Sequence, residues 1–146
     1  NGISAALGIS QLKRIKKKIA LRKIIFQRYL LNFKKDQNIK VLSFPKKSKM
    51  NYWINIVSFK NLNFSQTYQL SQMLLKKNIE TRRIWRPLNL QKYLKKFETY
   101  NIIHAKKIYS NSLCVPSDDS LSISDIDEIT NYIIKYYNKI KLSKNL

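Results

Sequence analysis

The sequence predicts an α+β fold: a long N-terminal helix, then a small, mostly antiparallel sheet covered by helices. Three observations predict it. Residues 9–33 hold no glycine or proline and carry an apolar stripe at helical spacing. Four short runs rich in β-branched and aromatic residues, at 39–44, 52–59, 79–85 and 113–115, read as strands. Between and after them lie stretches whose apolar residues recur every three or four positions. This organisation divides the chain into a connecting helix over residues 1–35 and a small α/β domain over 36–146, covered mainly on one face of its sheet.

In the first helix the stripe is Leu12, Ile15, Ile19, Phe26, Leu30 and Phe33. Leu21, Ile24, Ile25 and Leu31 fall off it, so the second half is apolar on two sides and asks for two partners. The chain starts at Asn1, almost directly in this helix; the expectation is a connector to a domain that lies upstream.

Residues 34–38 form a polar connector to the 39–44 strand, which Pro45 stops, and 46–51 read as a lysine-rich loop. In the strand at 52–59, Trp53, Ile54, Ile56 and Val57 mix alternation with a doubly buried centre. Residues 61–65 offer helix caps, and 66–77 follow as a helix with Leu70, Met73 and Leu74 inward. Asn78 sits where a helix ends in the left-handed conformation, which asparagine tolerates. The strand at 79–85 is ended by Pro87, and 90–97 and 99–109 read as amphipathic helices. Residues 113–115 are a buried strand closed by Pro116. Ser122 or Ser124 caps a last helix with Ile126, Ile129, Ile133, Tyr137 and Ile140 on its inner face. Asp125, Asp127 and Glu128 suit its first turn.

A chain of 146 residues with 44% hydrophobic and 12% aromatic content can bury a core despite a formal charge of +21. The charge has two open readings. Selection for a polyanion, nucleic acid or anionic membrane, is one. Compositional bias is the other: Lys, Ile and Asn make up 57 of the 146 residues, and lysine outnumbers arginine 23 to 6, whereas base readers favour the arginine fork. The second reading makes nucleic acid an unlikely partner. Two glycines exclude a Gly-rich phosphate loop within the chain. Cys114 and His104 are each single, so neither a disulfide nor a cysteine zinc site forms within the chain, and no metal is expected. Apolar runs are short and flanked by lysine, so no membrane span or signal peptide is expected and the cytoplasm is the expected compartment.

No nucleophile and base pair stands out. Cys114, between Leu113 and Val115, reads as an inert core thiol, and Asp118 and Asp119 as turn residues. Residues 81–88 carry three of the six arginines and one of the two tryptophans. Functionally, this is a strand end offering guanidinium groups and an indole to an anionic, planar ligand such as a nucleotide diphosphate or a carboxylate. Structurally, it is a strand with solvated arginines and a buried tryptophan. Composition leaves both open.

Four blocks, in order, resemble the C-terminal part of the sugar-nucleotide aminotransferases of the DegT/StrS type. They are the Ile3–Leu12 run with Arg22 and Tyr29 beyond it, the Asn78–Leu88 run against a "G-I-x-T-R-x-x-W-x-P-L" pattern, Ala105–Ser117, and Leu121–Ile129. Asn78 replaces the usual glycine, and Cys114-Val115 the usual leucine-containing pair. The resemblance implies a pyridoxal-phosphate enzyme of the aspartate-aminotransferase fold, this chain being similar to its small C-terminal domain. It implies transfer of an amino group, from glutamate, to a nucleotide-linked keto sugar for cell-surface polysaccharide or glycan synthesis, by a homodimer. It also implies that the Schiff-base lysine lies upstream of Asn1. No catalytic residue is then expected in this chain, and alone it is expected to be inactive. Arg82, Trp85 and Arg86 become the expected substrate contacts. Two alternatives stand beside this: a basic nucleic-acid-binding module, and a non-catalytic docking partner.

Overall fold

A computed structural model describes residues 1–45 and 47–143. Lys46, in the expected lysine-rich loop, and residues 144–146 lie outside the described residues.

Helix α1 spans Gly2–Asn32, 31 residues, or about 46 Å at 1.5 Å per residue. The Asn1 side chain caps it, accepting from the Ser4 backbone N–H at 3.0 Å. The expected stripe holds only in part. Phe26 and Phe33 are buried, but Ile25 and Tyr29 join them, while Leu12, Ile15 and Leu30 are exposed. Spacing defines a helical face, but the packing partner decides which part of it is used. Tyr29 takes the inward place because its ring is fully buried and its hydroxyl donates to the Pro116 carbonyl at 3.1 Å. The last turns of α1 therefore belong to the core of the domain that follows.

Four strands form one antiparallel sheet: β1 Ile39–Val41, β2 Asn55–Phe59, β3 Arg82–Arg83 and β4 Ser112–Val115, in the order β1-β2-β4-β3. β4 contains the whole expected run with one residue added at its start, and the other three are shorter than expected. β1 ends at Val41 rather than running to residue 44. Tyr52 has a φ of 54°, which breaks the extended backbone, so β2 begins only at Asn55. Its buried positions are Asn55, Val57 and Phe59, which turns Ile56 to the outer face; Trp53 lies ahead of the strand and is exposed. β3 keeps only two residues of the expected seven-residue strand. β4 lies between β2 and β3, with Val57 opposite Leu113 and Arg82 opposite Cys114.

Helix α2, Phe64–Leu75, opens with a capping box between Asn63 and Gln66, with contacts of 3.0 and 3.1 Å. Leu70 and Leu74 are buried, and Asn78 beyond it has a φ of 59°, the left-handed turn expected of it. Residues 90–97 do not form the expected helix. Two short 3₁₀ turns, Leu88–Leu90 and Lys92–Leu94, take their place, without a buried residue between them. An amphipathic pattern with no surface to cover does not hold a helix. Helix α3 spans Ile103–Asn111, starting later than expected because Asn101 has a φ of 50°, and Ile103 and Ala105 are exposed.

Helix α4, Ile123–Leu142, matches its expectation closely. Ser122 and Asp125 form its capping box, and Ile126, Ile129, Ile133, Tyr137 and Ile140 are all buried. The Tyr137 hydroxyl donates to the Lys60 carbonyl at 2.7 Å. The core lies between one face of the sheet (Ile39, Val57, Phe59, Leu113, Val115) and helices α1, α2 and α4. Asp127 ties α4 to α1: Arg28 donates to it from Nε at 2.6 Å and from Nη2, and Asn32 Nδ2 donates at 2.8 Å.

Candidate functional site

A cavity of about 800 Å³ opens at the end of β4, within the roughly 300–1,000 Å³ range of small-molecule sites. Because β4 lies between β2 and β3, three pieces of chain meet there. Its exit, Cys114 to Asp118, lies between Trp53 and Ile54, which precede β2, and the 78–85 segment that carries Asn78, Glu80, Arg82, Arg83 and Trp85. Ile129 of α4 and Leu121 contribute apolar lining.

Two of the three expected ligand contacts, Arg82 and Trp85, are brought together here. Arg86 is exposed and is not among the lining residues. Trp85 is 67% exposed rather than buried. Arg82 is also exposed, and forks onto Glu80: Nε and Nη2 donate to the same oxygen, Oε1, at 3.1 and 2.9 Å. Arg83 serves a structural purpose. It lies 3.4 Å from the Phe64 ring centroid and donates to the Phe64 carbonyl, and burial pulls its guanidinium pKa down.

The lining residues outside the expected contacts include Trp53, Glu80, Cys114 and Asp118. Trp53 reads in sequence as strand core, yet it is 58% exposed. Its backbone is fixed at both ends, its N–H donating to Asn51 Oδ1 at 3.1 Å and its carbonyl accepting from Ser117 Oγ at 2.6 Å. The signal for it is the pair Asn51-Tyr52, a side-chain cap and a left-handed residue just ahead of an indole. Cys114 is half-buried at the cavity wall, and burial raises its thiol pKa. Asp118 is a turn residue, as expected, and is held below the usual carboxylate range chiefly by the Ser120 hydroxyl and then by the Ser120 N–H, both donating to Oδ1.

Among the described residues the lining contains no lysine, so none of them offers an amine to hold an aldehyde cofactor covalently. Among the described residues, no three His, Cys, Asp or Glu side chains cluster to hold a metal ion. Its chemistry is that of recognition: guanidinium, carboxylate and indole groups around a partly apolar hollow.

Comparison with known proteins gives a consistent result. The DegT/DnrJ/EryC1/StrS aminotransferase family matches residues 1–134. Among curated proteins, the chain is 20% identical over 148 aligned residues to the putative pyridoxal phosphate-dependent aminotransferase EpsN of Bacillus subtilis (strain 168). That alignment takes in 99% of this chain and 38% of EpsN. Among solved structures, the PLP form of the putative sugar aminotransferase Spr1654 of Streptococcus pneumoniae superposes with a TM-score of 0.86 at 24% identity, covering 96% of this chain and 36% of that one. DesI, solved in the presence of its TDP-sugar product, gives 0.79 at 15% identity, covering 97% and 37%. At these identities the structures establish the shared fold. The chain spans little more than a third of the length of the relatives it matches.

Proposed function

The chain belongs to the DegT/DnrJ/EryC1/StrS aminotransferase family, and on that premise we propose that it acts as the small C-terminal, substrate-recognising part of a sugar-nucleotide aminotransferase. Pyridoxal phosphate is the cofactor of this family, and when bound it supplies the chemistry of amino-group transfer. On this proposal no residue of this chain holds it covalently, and the part of its residues is to bind and orient. In this reading the cofactor lysine comes from a separate domain that covers the exposed face of α1, glutamate is the amino donor, and the assembly is a cytoplasmic homodimer.

The observation that carries the proposal is the convergence of Arg82 and Trp85, two of the three residues picked out by the family pattern, on one cavity of about 800 Å³. Arg82 holds Glu80 at the wall and keeps its Nη1 for a ligand, and Trp85 supplies a flat apolar wall. The clamp of Arg28 and Asn32 on Asp127 fixes α4, and with it the Ile129 side of the cavity, against α1. For Arg86 the support is the family pattern alone.

Both tryptophans of the chain line the cavity, so intrinsic fluorescence reads the site directly. Titration with thymidine-diphosphate-glucose is expected to change that fluorescence saturably, and Arg82→Ala to weaken binding about tenfold, the usual loss of a charged hydrogen-bond partner. An unchanged affinity in Arg82→Ala would overturn the assignment. The chain alone, mixed with pyridoxal phosphate, is expected to yield no borohydride-trapped lysine adduct in the cavity and no transaminase turnover.

A further inference from the structure

We infer that this cavity receives the hydroxylated sugar ring of the substrate rather than its diphosphate, with Trp53 as the platform and Glu80 and Asp118 as the hydroxyl acceptors. The inference rests on the reading above and deepens it.

Charge balance comes first. In a chain of net charge +21, the cavity wall carries two arginines and two carboxylates, Arg82 and Arg83 against Glu80 and Asp118. Arg83 donates from Nη2 to the Phe64 carbonyl and lies on that ring, with its Nη1 buried and without a partner among the described residues, and the Nε and Nη2 donors of Arg82 are already taken by Glu80. A diphosphate would have to displace Glu80 from Arg82 and sit beside a second carboxylate. Anion sites are built the other way, with open guanidinium forks and backbone N–H groups.

Each carboxylate, by contrast, keeps one oxygen for a ligand. Arg82 donates twice to Oε1 of Glu80, and Ser120 twice to Oδ1 of Asp118. Oε2 and Oδ2 take no hydrogen bond among the described residues. An ionised carboxylate only accepts, so the complementary ligand donates, as the hydroxyls of a sugar do. Trp53 completes the arrangement. Its backbone is pinned at both N–H and carbonyl while its indole stands 58% exposed. That is a flat surface on a fixed backbone, and the C–H face of a pyranose covers such a ring with only the side-chain torsions left to order.

Calorimetric titration of the full chain with three probes tests this: thymidine-diphosphate-glucose, thymidine diphosphate and pyrophosphate. The sugar nucleotide is expected to bind about tenfold more tightly than the diphosphate, the worth of a pair of charged hydrogen bonds after their costs. Trp53→Ala and Glu80→Gln are each expected to erase most of that ratio. Trp53→Phe, which keeps a flat ring, should retain it, and circular dichroism of Trp53→Ala guards against simple misfolding. The contrary result is clear in sign. If the sugar nucleotide and the diphosphate bind equally, both tighten when Glu80→Gln frees Arg82, and both weaken in Arg82→Ala, then the cavity is a diphosphate site. The sugar-ring assignment then falls and the substrate site above survives. If none of the three probes binds, both fall together.

Discussion

Residues 2–17 and residues 25–33 share one run of backbone and both are rich in Ile and Leu, yet they have opposite environments. Every residue from 2 to 17 is exposed, Leu12 at 69%, whereas Ile25, Phe26, Tyr29 and Phe33 are buried and Tyr29 is completely so. What differs is the partner. Beside the second stretch lie α4, the exit of β4 and the Arg28–Asp127 clamp; beside the first lies nothing of the described chain. The lesson is that a helix can be continuous in geometry and discontinuous in stability. Isolated helical turns in water are marginal, and burial of one face is what holds them. The unburied stretch with its Ile3, Leu7, Leu12 and Ile15 is the surface that the proposed cofactor domain would cover.

The contrast breaks most sharply at Tyr29. Replacing it with alanine removes a fully buried ring and its bond to Pro116, and should cost about 3–5 kcal/mol in urea unfolding. Leu12→Ala should change stability by no more than about 0.5 kcal/mol. Equal losses would mean that residues 2–17 are packed in solution, and the contrast would be void. Next in size is Ser122, which caps the helix that α1 is anchored on; Ser122→Ala should cost about 1 kcal/mol by the same measurement.

Asp127 gives the smallest effect but a directional one. Hydrogen bonds from Arg28, then from Asn32, hold its folded pKa below the usual carboxylate value. A depressed carboxylate contributes stability that is present above its unfolded pKa, about 3.9, and that is lost as pH falls through the lower folded value. Arg28, its own pKa raised by the same bond, stays charged throughout. Asp127→Asn should therefore melt below the wild type at pH 7, and the gap should narrow as pH drops below about 4. A constant gap would show that Asp127 holds α1 through shape rather than charge.

Much of the fold was legible in the sequence where local and tertiary signals agree. The stripe of α4, its Ser122 cap, the inner Leu70 and Leu74 of α2 and the left-handed Asn78 all combine a helical period with a capping residue. Where they disagree, the pattern misleads. Trp53 and Ile56 look like core in a β-branched run, but the register against β4 turns the buried side to Asn55, Val57 and Phe59, and Trp53, just after the left-handed Tyr52, lies ahead of the strand. Residues 90–97 carry a helical period and form only 3₁₀ turns, because no apolar surface lies against them. Half of the site was readable for the same reason. Arg82 and Trp85 sit in one contiguous stretch with a family pattern, while Trp53, Cys114 and Asp118 join them only because β4 is inserted between β2 and β3, which sequence spacing does not record.

Cys114 supplies the most direct test that this cavity is the ligand site. It is the chain's single cysteine, half-buried at the wall opposite Arg82 in the strand register. With thymidine-diphosphate-glucose at a concentration that just saturates the wild type, its rate of modification by a small thiol reagent should fall several-fold in the wild type, about the protection expected of an occupied pocket, and fall clearly less in Arg82→Ala. A wild-type rate that ignores the ligand at saturation would place the binding surface elsewhere on the molecule and contradict the account.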